Sequence, residues 1–214
     1  SHQFPTTVTM PMERRRELLE QASRDDFLII EDDYECETTF TDNPTPALKS
    51  LDKNGRVIYL GSLSKTLSPG LRLGFIVGPK ELIQELREFR RMMLRHPPMN
   101  NQRAVGLFLS RGYHDSLIRN IVHAYEERWK EVGDALQDCL PESAKPPVFG
   151  GSCYWVKGPE GLDTRELKQR ALDKGVVIES GDIYFQQDDP PLNFFRLGYS
   201  SIATERIRPG IDRL

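Results

Sequence analysis

The sequence predicts an α/β fold: a layered, mostly parallel sheet with flanking helices over residues 1–140, then a small α+β domain over residues 141–214. Three observations carry this. Short, nearly all-apolar runs alternate with helix-like stretches, which is how strands covered on both faces read. Pro and Gly punctuate the gaps at Asn43-Pro44-Thr45-Pro46, Asn54-Gly55, Pro69-Gly70 and Gly78-Pro79. A proline cluster, Pro141, Pro146 and Pro147, then marks a boundary beyond which the pattern changes. A length of 214 residues suits one large domain or two small ones.

Residues 9–25 read as a helix. Pro11 falls in its first turn, where a missing N–H costs nothing, and Leu18, Leu19 and Ala22 form an apolar stripe. Arg14, Arg15 and Arg16 read as its solvated face. Phe27–Asp32, Val57–Gly61 and Arg72–Val77 follow as strands. Residues 80–95 form a further helix, ended by Pro97-Pro98. A long helical region then runs from Asn101 to Leu140, interrupted near Gly112. Within it Ile118, Ile121, Val122, Tyr125, Trp129, Val132 and Leu136 recur at three and four, so one face is buried. In the last part, Cys153–Val156 is a strand. Asp163 with Glu166 three residues on forms a capping box, and Lys174-Gly175 closes that helix. Val176–Glu179 and Phe194–Tyr199 are strands, and Ala203–Leu214 reads as a helix. There is no internal repeat.

Composition excludes several function classes. With 29 basic and 32 acidic residues the net charge is −3, which argues against a nucleic-acid grip in this segment. The longest apolar run, Phe27-Leu28-Ile29-Ile30, is far short of the ~20 residues that span a bilayer. Cys36, Cys139 and Cys153 form no pair at metal or redox spacing and read as reduced thiols of the cytoplasm. The chain starts Ser1-His2 without Met and stops inside a helical stretch, so it reads as a segment of a longer protein.

Two constellations carry chemistry. Ile29-Ile30-Glu31-Asp32-Asp33-Tyr34-Glu35 places carboxylates at the C-terminal end of a strand, the edge where open α/β sheets bind ligands. In extended chain Asp32 and Tyr34 point the same way. The same oxygens could be a solvated loop or a weak divalent-metal site with Glu37, but the spacing is not that of a calcium loop, and no metal is expected. The second constellation runs from Gly61-Ser62-Leu63-Ser64-Lys65 to Gly70-Leu71-Arg72-Leu73-Gly74. Hydroxyls with an arginine suit a phosphate, and a lysine after a strand can act as an amine nucleophile.

Together with Phe194-Phe195-Arg196-Leu197-Gly198-Tyr199, these motifs resemble the cofactor site of fold-type I aminotransferases that use pyridoxal 5'-phosphate, over essentially the whole chain and in the right order. The resemblance implies a role for each residue. Lys65 is the amine that bonds the cofactor aldehyde and shuttles a proton at the substrate carbon. Asp32 pairs with the pyridine nitrogen, making the ring an electron sink. Tyr34 hydrogen-bonds the phenolic oxygen, and Ser62, Ser64 and Arg72 anchor the phosphate. Arg196 grips a substrate carboxylate as a planar fork.

His2-Gln3-Phe4-Pro5 with Glu31-Asp32-Asp33-Tyr34-Glu35 resembles the MocR-type subgroup of GntR transcriptional regulators. That subgroup joins a winged helix-turn-helix to an aminotransferase-like effector domain. The implied function is a domain that binds pyridoxal phosphate and senses an amino acid or amine, in a homodimer that meets DNA only through a domain preceding this chain. The alternative is an aminotransferase acting between an amino acid and a 2-oxo acid. Ordinary aminotransferases read Asn-Pro-Thr-Gly where this chain has Phe4-Pro5-Thr6-Thr7, which departs at both the Asn and the Gly positions. His96-Pro97-Pro98-Met99-Asn100 reads either as a linker or as a segment approaching the other subunit's cofactor.

Overall fold

The computed structural model describes residues 2–40, 44–141 and 150–214. Asn43, Pro146 and Pro147 lie outside the described residues. The chain divides into two compact units. The first comprises residues 9–37 and 44–120, and the second comprises residues 2–8, 38–40 and 121 onward.

The first unit begins with helix α1 (Met12–Arg24), with Pro11 at its N-cap in extended conformation. Strand β1 (Ile29–Asp32), the short helix α2 (Leu48–Leu51), strand β2 (Val57–Ser62) and strand β3 (Gly74–Val77) follow. β1 runs parallel to β2, with Ile29 opposite Val57 and Asp32 opposite Leu60. β3 runs antiparallel to β2, with Ser62 opposite Gly74. The C-terminal ends of β1 and β2 and the start of β3 therefore share one sheet edge.

Two expectations are corrected here. Arg15 does not lie on a solvated face: it is buried. It donates to the carbonyls of Met10 and Pro46, both at 2.9 Å, and lies 3.8 Å from Glu31. Glu31 in turn accepts the N–H groups of Leu48 and Lys49 at the start of α2 (2.7 and 2.9 Å). This buried arginine joins α1, β1 and α2, because a buried charge must be paired and hydrogen-bonded. Nor are the strands covered on both faces. Ile30 is 68% exposed, and Phe75, Ile76 and Val77 are about half exposed. The described residues leave these apolar side chains open to solvent.

β3 also starts later than expected. Pro69–Leu71 form a 3₁₀ turn, and Arg72 takes a left-handed conformation (φ +50°, ψ +44°), so extended pairing begins only at Gly74. A Cβ at Gly74 would lie 2.8 Å from the Gly61 carbonyl oxygen, which explains the glycine at that point of the ladder. Helices α3 (Lys80–Leu94), α4 (Met99–Ser110) and α5 (Tyr113–Cys139) follow, with the expected break at Gly112 (φ +73°). α3 buries none of its residues.

The second unit takes the rest of α5 and an antiparallel sheet. Its strands are β4 (Cys153–Lys157), β5 (Glu179–Ser180) and β6 (Phe194–Gly198), in the order β4-β6-β5. Helix α6 (Thr164–Asp173) and helix α7 (Ile207–Ile211), which follows a 3₁₀ turn over Thr204–Arg206, complete it. Val132 and Leu136 of α5 pack with Tyr154, Phe195, Tyr199 and Ile207 into one core, and Tyr125 and Trp129 lie against it as expected. Tyr154 donates its phenol to the Trp129 carbonyl at 2.8 Å, and burial pushes that phenol's pKa up. The Asp163 side chain accepts the Arg165 N–H at 2.9 Å, which caps α6. β5 is shorter than the expected Val176–Glu179 strand. The Val176 N–H is held by the Ala171 carbonyl (2.8 Å), and Gly175 takes φ +79°, so Val176 still closes α6.

Candidate functional site

The sheet edge of the first unit gathers six of the seven residues singled out from sequence. β1 ends at Asp32, which is exposed, and the next residue turns inward: Asp33 is buried. The Asp33 N–H continues the ladder to the Leu60 carbonyl (3.0 Å), and Tyr59 donates its phenol to Asp33 at 3.1 Å. Tyr59 also lies 3.6 Å from the Cys36 sulfur. Burial raises the pKa of both the Tyr59 phenol and the Cys36 thiol. Tyr34 is reached through a turn over residues 34–37 and not along extended chain, which corrects the reason given for its pairing with Asp32.

From the neighbouring strand β2, Ser62 accepts the Ser64 N–H (3.2 Å). The loop carrying Lys65 is pinned by Leu63 N–H to the Leu73 carbonyl and Leu67 N–H to the Leu63 carbonyl, both at 3.0 Å. Lys65 is exposed, and its Nζ lies 5.5 Å from the centre of the Tyr34 ring. Arg72 stands at the mouth of β3, on backbone held by Asn101 of α4, whose amide donates to the Leu71 carbonyl (3.2 Å).

The donor set fits a phosphorylated aldehyde. It comprises an amine, a carboxylate, a phenol, two hydroxyls and a guanidinium on one edge. Beside Lys65, the Thr66 hydroxyl is buried with no hydrogen-bond partner among the described residues. Buried hydroxyls are almost always satisfied, so this one is available to a group bound beside Lys65. Sequence reasoning missed Thr66 and Asn101. Thr66 sits inside the quoted motif, whereas Asn101 gave no signal because its partner is thirty positions away.

Arg196 lies in the second unit, at the centre of the β4-β6-β5 sheet. Trp155 faces it from β4 and Glu179 from β5. Its NH1 donates to Glu179 Oε2 at 2.9 Å, and the Tyr184 phenol donates to the same oxygen at 3.0 Å. The guanidinium carbon lies 5.0 Å from the centre of the Phe4 ring. Phe4 meets Tyr184 edge-on at 5.3 Å, and Tyr184 meets Trp155 at 5.7 Å. Arg196 Nε is buried without a partner among the described residues. Burial, with Glu179 next, raises the Tyr184 pKa. Glu179 and Tyr184 were not read from sequence, since only the strand register brings them to Arg196. In the same unit Thr7 adopts φ +60°, a left-handed conformation that favours glycine, in a turn held by Gln3 and Val8.

Comparison with known proteins identifies the family. The chain is 44% identical over its full length to the HTH-type transcriptional regulator TauR of Rhodobacter capsulatus, covering 44% of that protein. It is 35% identical over 99% of its length to aromatic-amino-acid aminotransferase 1 of Thermococcus litoralis, covering 51% of it. It thus spans about half the length of these relatives. Among solved structures it superposes on LysN, the α-aminoadipate aminotransferase of Thermus thermophilus, complexed with N-(5'-phosphopyridoxyl)-L-leucine. There the TM-score is 0.87 and the identity 32%, over 98% of this chain and 54% of that one. The family model described as aminotransferase class I and II matches residues 3–214. With the lysine, aspartate and arginine motifs in order and the fold in agreement, the chain belongs to the class I and II aminotransferase family.

Proposed function

We propose that this chain is the effector-sensing part of a MocR-type transcriptional regulator, binding pyridoxal phosphate at the first unit's sheet edge and reading an amino acid or amine. The observation that carries the reading is the convergence of Asp32, Tyr34, Ser62, Ser64, Lys65 and Arg72 on one edge from three separate segments. The higher identity to a regulator than to an aminotransferase, along the whole chain, favours sensing over turnover. Phe4 in place of the usual asparagine points the same way, since it removes an amide donor from the family's pattern. Contact with DNA then belongs to a part of the protein other than this acidic chain, and the whole protein acts as a homodimer.

When bound, the cofactor supplies an aldehyde carbon for capture of amines and a ring that withdraws electrons. Lys65 would provide the amine that holds it and, when not bonded to it, the base for a proton at the ligand's reacting carbon. The Asp32 carboxylate would hold a proton on the ring nitrogen through a charge-assisted hydrogen bond. Tyr34, beneath the Lys65 amine, would donate its phenol to the ring oxygen. Ser62, Ser64 and Arg72 supply hydroxyl donors and positive charge to the phosphate. Arg196 binds the acid group of the ligand.

The test uses the full-length protein. Addition of pyridoxal phosphate gives a yellow absorbance, and borohydride then fixes the cofactor on the Lys65 peptide. Lys65→Ala abolishes both. A reducible adduct that persists on that peptide in the variant refutes the assignment. The second reading, a working aminotransferase, has the 35% identity to an enzyme in its favour. Catalytic release of a 2-oxo acid over many turnovers, without binding to DNA, would establish it.

A further inference from the structure

Glu179 shares its place with the residue expected to bind the ligand's acid group. It stands directly across the ladder from Arg196, and its Oε2 takes NH1 of the guanidinium at 2.9 Å. The same oxygen is tied down by the Tyr184 phenol at 3.0 Å. Tyr184 is itself packed edge-on between Phe4 and Trp155. The carboxylate is thus held from two sides, although 46% of its side chain is exposed.

This changes what Arg196 can recognise. A guanidinium has five N–H donors. One is engaged by Glu179, the Cys153 side chain also lies against the guanidinium, and one face of the plane is covered by Phe4 at 5.0 Å. The buried Nε–H has no partner among the described residues. One edge is therefore left for one acid group, while the pair as a whole carries no net charge. A second acid group brought to this pair would find no uncompensated cation there and would meet the Glu179 carboxylate. Juxtaposed like charges repel, and this is one way in which proteins reject a wrong partner. The aromatic groups around the pair favour an uncharged remainder.

We propose that Glu179 is a specificity-determining residue that makes Arg196 a half-occupied anion site, selecting mono-acidic amino compounds and rejecting di-acidic ones. The inference rests on the reading of Arg196 as the ligand's acid-group partner.

The test measures calorimetric binding of two amine-free acids, 3-methylbutanoate and succinate, to the full-length protein loaded with pyridoxal phosphate. Neither probe can react with the cofactor, so the readout is affinity alone. The parent protein binds the mono-acid at least about tenfold more tightly than the di-acid. Glu179→Gln keeps the shape and the acceptor for Tyr184 but removes the charge. It tightens succinate by about tenfold and reduces the preference to within about threefold. Glu179→Ala shifts the preference in the same direction and serves if the glutamine variant is unstable. Arg196→Gln weakens both acids. Unchanged affinities in Arg196→Gln would overturn the reading of Arg196 and this inference with it. Weakening there with an unaltered preference in both Glu179 variants would overturn the role of Glu179 alone.

Discussion

Asp32 and Asp33 are adjacent, yet one is exposed at the sheet edge and the other is buried against the Tyr59 phenol. Their asparagine variants should therefore fail in different ways. Asp32→Asn should weaken pyridoxal phosphate binding by an order of magnitude or more, because an essential charge partner is lost, with little change in the urea midpoint. Asp33→Asn should destabilise the fold by about 1–3 kcal/mol, the usual cost of disturbing a buried hydrogen-bonded group, with a smaller effect on the cofactor. Titration of the cofactor and urea unfolding of each variant check this, and equal cofactor losses would contradict the register. Arg72 offers a second contrast. Its left-handed backbone (φ +50°) costs a non-glycine residue roughly 1 kcal/mol. Arg72→Gly should leave the cofactor-free protein as stable as the parent, within about 1 kcal/mol, while cofactor affinity falls at least about tenfold.

Helix α6 shows how an element depends on its first residue. The Arg165 side chain beside it, then the Arg165 N–H, hold the Asp163 carboxyl at about 2, below its ordinary 3.8. A depressed carboxyl stabilises the fold above its ordinary value and loses that contribution as pH falls through the folded value. The difference in urea midpoint between the parent and Asp163→Asn should thus be constant near neutrality and shrink between pH 4 and pH 2. In the same unit, Leu136 is fully buried in the core. Leu136→Ala should cost about 2–5 kcal/mol, read from chemical unfolding. These elements were legible in the sequence because their signals are local: the three-and-four spacing of α5, the cap before α6, the glycine after it. The burial of Arg15 has no local signal, because its partners, Pro46 and Glu31, lie far along the chain. The start of β3 at Gly74 is not legible either, because apolar pattern does not reveal a left-handed Arg72. Lys65 and its neighbours were legible because a contiguous motif carries them. Glu179 was invisible because only pairing between β5 and β6 brings it to Arg196.

At the scale of the whole chain, apolar side chains remain uncovered. They include Ile30, the face of β3 and, on α3, Phe89, Met92 and Met93. Patches of this kind mark interfaces, and open sheet edges invite pairing. The 214-residue polypeptide alone should therefore associate with further copies of itself and hold pyridoxal phosphate weakly. Sedimentation and a cofactor titration measure both, and a monodisperse monomer with micromolar affinity would contradict it. With a net charge of −3 it should show no affinity for DNA in a mobility-shift assay. The shared edge of β1, β2 and β3 has one more consequence. A ligand held there would fasten together three segments that the backbone leaves separate: the turn after β1, the lysine loop after β2 and the approach to β3. It would act as a reversible cross-link, adding about 2.7 kcal/mol of stability at a hundredfold excess over its dissociation constant. The stiffness of this region, and its resistance to proteases at residues 33–40 and 63–73, would then follow the supply of cofactor.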